Sequence, residues 1–269
     1  MDDAMRRNLL EQLKVVAQEQ LSEREELRQQ AIDKMQALGA KTDEVTINIL
    51  IEYLLQDEND LLLPLAASRL SEIGGQQVVS HLLNLLETDI GDVFRVLLLQ
   101  ILADIGHTDA SDAIIRILNS THHPEVRARA AFALGKTGGD KAFDTLITAL
   151  HAETNLKIRQ QVIVALGWLG DERCVPDLVQ IMETDSDKET QTFATESLGR
   201  IGTEQCFEPL VYTLQNTDAL PIVRYYAAHA LGALGDERAI DILQAVIDDP
   251  EAHAWVAQMA SESLEKLGA

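Results

Sequence analysis

The chain has 269 residues, of which 46% are hydrophobic and 25% charged, and this composition excludes an intrinsically disordered polymer. Its formal net charge of −22 argues against nucleic acid and anionic membrane surfaces as partners, because both would repel an acidic surface. No apolar run approaches the ~20 residues needed to cross a bilayer, and the charged N-terminal sequence has no signal-peptide stretch, so a cytoplasmic location is expected.

A five-residue motif that ends in glycine recurs along the chain and defines the predicted elements. It reads MQALG at its first occurrence, LGWLG at its fifth and LEKLG at its eighth. Its final residues, 32 to 35 positions apart, are Gly39, Gly74, Gly106, Gly138, Gly170, Gly202, Gly235 and Gly268. Each follows an apolar-periodic run, where a left-handed glycine commonly ends a helix. The repeat therefore predicts an all-α fold, a right-handed α-α superhelix (solenoid) of about eight helical hairpins.

The predicted solenoid is a single domain that spans residues 1–269. Residues 1–39 are rich in charge and form an N-terminal capping repeat, as expected for a terminal unit with a polar outer face. Residues 40–235 hold the regular repeats, and residues 236–269 form a C-terminal capping repeat.

The second helix of each hairpin has a predicted core stripe, which lies 12, 8, 4 and 1 positions before the repeat glycine. In the fourth unit this stripe is Val126, Ala130, Leu134 and Thr137. A further glycine stands three positions before the repeat glycine in four units, at Gly135, Gly167, Gly199 and Gly232. A glycine inside a helix costs about 0.5–1 kcal/mol relative to alanine, so its recurrence predicts that helices approach closely there.

An arginine stands 11 positions before the repeat glycine in five units. We interpret this column as structural, with side chains that lie along the neighbouring repeat and meet loop carboxylates such as Asp92 and Glu125. The column consists of Arg28, Arg95, Arg127, Arg159 and Arg224.

Two segments carry a family resemblance: residues 124–127 (PEVR) running into 131–135 (AFALG), and residues 223–228 (VRYYAA) followed by 235–239 (GDERA). They resemble the HEAT repeat, in the variant found in phycobilisome-lyase-type proteins, and the resemblance covers essentially the whole chain. It implies a solenoid whose second helices line the concave surface. It leaves the function open, because such repeats serve many partners.

Residues 9, 6 and 2 positions before the repeat glycine lie on the side of the second helix away from the core stripe. We expect a partner to bind on this side. Units four to seven place there a strip that, with Tyr225, holds five of the chain's eleven aromatic residues. Aromatic and arginine side chains are the usual anchors of protein interfaces. We call this set the second-helix strip, and it comprises Arg129, Phe132, Val164, Trp168, Phe193, Arg200, Tyr225, Tyr226 and His229.

The first function hypothesis is a protein-binding scaffold or adaptor that has no catalytic site and needs no cofactor or metal. Its acidic surface would favour a partner with basic patches, mainly through the association rate. The second hypothesis is implied by the resemblance, chiefly at residues 224–228 (RYYAA): a bilin lyase subunit or a relative, which would form a heterodimer with a related subunit. A linear tetrapyrrole would then stack on Trp168 and Tyr226, and Arg129 or Arg200 would meet its propionates.

The third hypothesis is an accessory factor for iron–sulfur assembly, and it depends on Cys174 and Cys206. These cysteines occupy equivalent positions in adjacent units, in a small apolar column, so buried inert thiols are expected. Two ligands alone are too few for a cluster. The pair His122-His123 is a weak metal signal. The chain has no His-Glu dipeptide of the kind that holds iron in HEAT-type deoxyhypusine hydroxylases, so we do not expect that activity.

Overall fold

The computed structural model describes residues 44–55, 62–120 and 123–268, which form fourteen α-helices and no strand. Consecutive helices pair into seven hairpins, and each hairpin ends at a predicted repeat glycine. The prediction of an all-α solenoid is confirmed. The N-terminal capping repeat, residues 1–39, lies outside the described residues, as does Arg28.

The helices in chain order are α1 Glu44–Leu55, α2 Leu62–Ile73, α3 Gly75–Leu86, α4 Gly91–Ile105, α5 Ser111–Leu118, α6 Pro124–Thr137, α7 Asp140–Ala152, α8 Leu156–Leu169, α9 Val175–Thr184, α10 Lys188–Ile201, α11 Phe207–Gln215, α12 Pro221–Leu234, α13 Ala239–Asp248 and α14 Ala254–Leu267. Short 3₁₀ turns precede α5, α9 and α11, at Thr108–Ala110, Glu172–Cys174 and Glu204–Cys206.

The chain divides into two compact units, Met1–Val78 and Val79–Ala269. In the first unit α1 contacts α2, and Leu50, Leu54 and Leu70 are fully buried. In the second unit the helices form two layers. The second helices of the hairpins pack extensively on one another, whereas the first helices contact one another much less. These second helices are α4, α6, α8, α10, α12 and α14. The second helices are therefore the more closely packed of the two layers.

The predicted core stripe is buried in the second helices. In α6, Val126, Ala130, Leu134 and Thr137 are all buried. The same positions of α8 are buried except for Leu169 at the end of the helix, which is half-buried. The 3.6-residue period therefore places one face of each second helix in the core, as the sequence predicted.

The helical glycines allow neighbouring second helices to touch. A Cβ atom added at Gly135 would lie 2.4 Å from the carbonyl oxygen of Ala165, and one added at Gly167 would lie 2.7 Å from Cβ of Ser197. The predicted close approach is confirmed. The facing position, five before the next repeat glycine, is always small in these contacts: Ala165, Ser197, Ala230 and Ser263.

The arginine column connects the helices of one hairpin, and neighbouring hairpins, through hydrogen bonds and ion pairs. Arg127 donates from Nε to the carbonyl oxygen of Leu118 (2.8 Å), at the end of the first helix of its own unit, and from Nη2 to Oε2 of Glu153 (2.5 Å) in the next unit. Arg159 repeats the second contact, with Nη1 2.7 Å from Oδ2 of Asp185. Both carboxylates follow the last residue of a first helix. The structural interpretation of this column is confirmed.

One predicted partner of the arginine column is wrong. Arg95 pairs with Asp92 as expected, at 3.7 Å, but Glu125 pairs with Lys157 and not with an arginine of the column. Glu125 stands one residue into the first turn of α6, where its side chain reaches the equivalent turn of α8. Repeat spacing brings Lys157 to the same place in the next unit, so the pair is set by stacking.

The seven repeat glycines among the described residues, from Gly74 to Gly268, end the second helices with positive φ, as predicted. Gly170, with φ 72° and ψ 17°, is left-handed and donates its N–H to the carbonyl oxygen of Leu166. Gly138 differs, with φ 76° and ψ −172°, and is followed by a second positive-φ residue, Gly139. The Gly-Gly sequence here permits an extended connection that other residues disfavour.

Candidate functional site

The second-helix strip lies on α6, α8, α10 and α12, on the side of these helices away from the core. None of its nine residues is buried. Trp168 is 40% exposed, Arg200 is exposed, and the other seven are half-buried. A tryptophan that is 40% exposed beside partly exposed cations marks this face as a candidate interface.

Trp168 lies at the centre of the strip, between two cations. The Lys136 ammonium is 3.6 Å from the centroid of the ring, and the Arg200 guanidinium carbon is 3.9 Å from it. All three residues stand two positions before a repeat glycine, on α6, α8 and α10. Stacking of the units therefore aligns them, and each cation approaches the indole from a neighbouring helix.

Phe132 extends this cluster toward α4. Its ring meets Trp168 edge-to-face, with centroids 6.5 Å apart and planes at 85°. The guanidinium carbon of Arg129 lies 5.7 Å from the centroid of the same ring, and Arg129 donates from Nη1 to Oε1 of Gln100 (2.6 Å). Gln100 in turn donates to Asp104. The Gln100 side chain thus bridges Arg129 and Asp104, which form no direct ion pair.

The other end of the strip, on α12, is uncharged at neutral pH. Tyr225 and Tyr226 meet edge-to-face, with ring centroids 5.4 Å apart. Burial and the nearby Glu196 raise the pKa of Tyr226, so its hydroxyl stays protonated. Burial and the charge of Lys266 lower the pKa of His229, which is therefore neutral at pH 7.

The structure brings together most of the predicted strip, but not all of it. Glu196 connects its two ends, because it accepts a hydrogen bond from Arg200 (2.7 Å) and acts electrostatically on Tyr226 and His229. Within the described residues, no ring or polar contact joins Val164 or Phe193 to this network.

Sequence reasoning missed two members of the site. Lys136 occupies the same repeat position as Trp168 and Arg200, and this equivalence was the signal that could have identified it. Glu196 shares a repeat position with Phe132 and His229. Its role as a link between the two ends depends on side-chain directions that spacing does not give.

The cysteines are buried and free, as expected for inert thiols. Burial and the charge of Asp171 raise the pKa of Cys174 to about 12, and its Sγ lies 3.0 Å from the carbonyl oxygen of Asp171. A protonated, enclosed thiol is a poor metal ligand. Cys206 is equally buried. The thiols therefore give the iron–sulfur hypothesis no support.

His123 has a local structural role. Its Nδ1 accepts a hydrogen bond from the backbone N–H of Glu125 (3.3 Å) at the start of α6. Its neighbour His122 lies outside the described residues. Across the described ranges, no group of three or more His, Cys, Asp or Glu side chains is arranged to hold a metal ion. No helix in those ranges has the length and apolarity that crossing a membrane requires.

The family of HEAT repeats matches three overlapping segments, residues 92–167, 111–191 and 175–265, which together cover more than half of the chain. The chain belongs to the HEAT-repeat family. No curated protein matches it at a significant level.

Several solved HEAT-like structures resemble this HEAT-repeat chain. The complex of CpcE and CpcF of phycocyanin lyase from Nostoc sp. PCC7120 is 21% identical, with a TM-score of 0.52, over 84% of this chain and 96% of that one. Human deoxyhypusine hydroxylase in complex with glycerol is 18% identical, with a TM-score of 0.44, over 86% and 99%. YibA of Escherichia coli is 19% identical, with a TM-score of 0.48, over 88% and 86%. At these identities the likeness concerns the fold.

Proposed function

We propose that this HEAT-repeat protein is a protein-binding adaptor that docks its partner on the second-helix strip. The observation that carries the proposal is the cluster of the exposed Trp168, the half-buried Phe132 and their cations on the side of the second helices away from the core. Large aromatic rings with neighbouring arginines are the commonest energetic anchors of protein interfaces. The cluster lies apart from the glycine contacts at which the second helices touch, and Trp168 is 40% exposed, so a partner can reach it.

The acidic composition supports a partner that carries basic patches elsewhere on its surface. A net charge of −22 would steer such a partner toward the chain and raise the association rate more than the affinity. A related subunit is one candidate partner, since the similar phycocyanin lyase is a complex of CpcE and CpcF.

A second candidate function is that of a bilin lyase subunit or a relative. Its support is the likeness to the CpcE–CpcF complex and the set of rings and cations in the strip. In this candidate the propionates of a linear tetrapyrrole would meet Arg129 or Arg200, and Tyr226 would stack on its rings. Trp168 already lies against two cations, so a tetrapyrrole would have to displace one of them to reach its face.

The test is an affinity capture from native lysate with three baits: the wild type, a Phe132→Ala/Trp168→Ala variant, and a matched control, Tyr212→Ala/Trp255→Ala. The control also removes one tryptophan and one smaller ring, and both of its residues are 62% exposed outside the strip. We expect a specific partner to be retained by the wild type and the control and lost by the strip variant, as read by mass spectrometry. A pigment absorbing visible light that follows the same pattern would favour the lyase candidate.

Equal retention by all three baits would contradict the proposal and move the binding surface away from the strip. Loss by the control alone would place the interface at the exposed aromatics of α11 and α14. Circular dichroism of each variant, compared with the wild type, checks that the helical fold is intact.

A further inference from the structure

The centre of the second-helix strip differs in charge from the rest of the molecule. The chain as a whole carries a formal charge of −22. The charged groups that contact the rings of Phe132 and Trp168, however, are all basic: Arg129, Lys136 and Arg200. We name these five residues the cationic patch.

The positive charge of the patch is only partly compensated, by Glu196 on Arg200 and by the electrostatic interaction of Glu125 with Arg129. Among the described residues, no carboxylate lies within ion-pair distance of Lys136 or Arg129, while Arg200 has one carboxylate partner, Glu196. The bond from Arg129 to Gln100 satisfies a donor but does not neutralise the charge. Cation–π contact with Trp168 likewise stabilises the ammonium and guanidinium groups and leaves their charge in place.

The rings hold these cations in fixed positions. Lys136 and Arg200 contact one indole from the two neighbouring helices, and Arg129 lies over Phe132. Long basic side chains normally lose much rotamer freedom when they bind a ligand. Here the rings already restrict them, so part of that entropy cost is met before binding.

We propose that the cationic patch binds an acidic peptide segment of a partner protein, with carboxylates on Lys136 and Arg200 and an apolar side chain against the exposed edge of Trp168. This inference rests on the proposed function, because it names the chemistry of the segment that docks on the strip. The partner would then have two regions of opposite charge, an acidic segment that binds the patch and basic patches elsewhere on its surface.

Charge screening explains why a short peptide suits this site better than a nucleic acid. At physiological ionic strength the Debye length is about 8 Å, so a segment seated on the patch senses chiefly the nearby cations. A nucleic acid strand carries charge along its whole length and would extend over the acidic surface that surrounds the patch.

The test is selection of random twelve-residue peptides displayed on phage against immobilised full-length protein. The wild type is compared with a Lys136→Gln/Arg200→Gln variant and with a matched control, Arg116→Gln/Lys141→Gln. The control removes the same number of charges from α5 and α7, where Arg116 pairs with Glu87 and Lys141 with Asp112 on exposed surface. A Phe132→Ala/Trp168→Ala variant reports on the rings.

We expect peptides enriched in Asp and Glu, each with an aromatic or aliphatic residue, from both the wild type and the control. For one such peptide, titrated in a Trp255→Phe background so that Trp168 is the sole fluorescent tryptophan, the dissociation constant should rise about tenfold in the Lys136→Gln/Arg200→Gln variant and by less than about twofold in the control. Added salt should weaken binding to the wild type and have little effect on the patch variant.

Four outcomes would overturn the inference, and they separate it from the proposed function. Peptides that need the rings but carry no negative charge would overturn the inference and leave the adaptor proposal standing. Peptides that all four proteins retain equally would contradict both. Equal weakening by the patch variant and its control would assign the effect to overall charge. A thymidine ten-mer that competes as well as the peptide would replace the acidic segment with a nucleic acid strand.

Discussion

Two edges of the same second helices have different tasks. Along one edge, glycine and small residues bring neighbouring helices into contact, as at Gly135 and Ala165. Along the other edge, two positions before each repeat glycine, Lys136, Trp168 and Arg200 also meet across neighbouring helices, but there they remain accessible. Repeat stacking sets both alignments. At the first edge, the contact edge, the helices leave no room for a side chain at the glycine. At the second, the displayed edge, the side chains remain accessible to solvent.

This comparison implies that the contact edge should control stability and the displayed edge should control binding. Since the glycine of the contact edge and the displayed residue are successive in sequence, and so about 100° apart around each helix, substitutions can address the two edges separately. The following predictions test that separation.

The largest effect is expected at the contact edge. Gly135→Ala should destabilise the fold by about 2–3 kcal/mol, because its Cβ would collide with the backbone of Ala165. Helix propensity alone predicts the opposite sign, a gain of about 0.5–1 kcal/mol. Thermal unfolding followed by circular dichroism measures the change.

A second variant sharpens the same test. At Gly199→Ala the nearest clash is with Cβ of Ala230, at 2.5 Å, so a second change, Ala230→Gly, should restore part of the lost stability. No such rescue is expected for Gly135→Ala, where the obstacle is backbone. A stabilising effect of either alanine would show that the helices are not in close contact.

A smaller loss of stability is expected when an ion pair between neighbouring units is weakened. Glu153→Gln should cost about 1–3 kcal/mol at pH 7, because it weakens the part-buried bond from Arg127. Burial acts to raise the pKa of Glu153, but the backbone N–H of Asn155 and the Arg127 guanidinium outweigh it and hold this pKa below 4.5.

The sign of the pH dependence follows from that lowered pKa. The carboxylate contributes fully above the ordinary pKa of 4.5, and its contribution is lost as pH falls through the lower pKa of the folded state. Urea unfolding at neutral and acidic pH should therefore show the wild type and Glu153→Gln converging in acid. Asp112→Asn is the control, since its pair with Lys141 is exposed and should contribute at most about 1 kcal/mol at any pH.

The smallest effect on stability is expected at the displayed edge. Lys136→Gln and Arg200→Gln should each change the free energy of unfolding by no more than about 1 kcal/mol, the size of an exposed cation–π contact. The fluorescence of Trp168 should nevertheless shift, since its ring loses an adjacent charge. Destabilisation as large as that of Gly135→Ala would mean that both edges maintain the fold.

The sequence by itself determined much of this protein. The glycine period predicted the hairpins and their ends, because a left-handed helix end needs glycine. The apolar period predicted the buried face of α6 and α8, and recurring helical glycines predicted the tight contacts. It also placed Phe132 and Trp168 away from the core. These features follow from local geometry that every repeat shares.

Only the tertiary structure decided how side chains meet between repeats. The pairing of Glu125 with Lys157, the position of Lys136 and Arg200 against Trp168, and the link through Glu196 all join residues from different units. Repeat spacing places equivalent residues of adjacent units near one another, but which side chains meet also depends on the stagger of the helices and on rotamer choice, which spacing alone does not give. The sequence therefore identified the displayed face, and the stacking of the repeats determined its charge pattern.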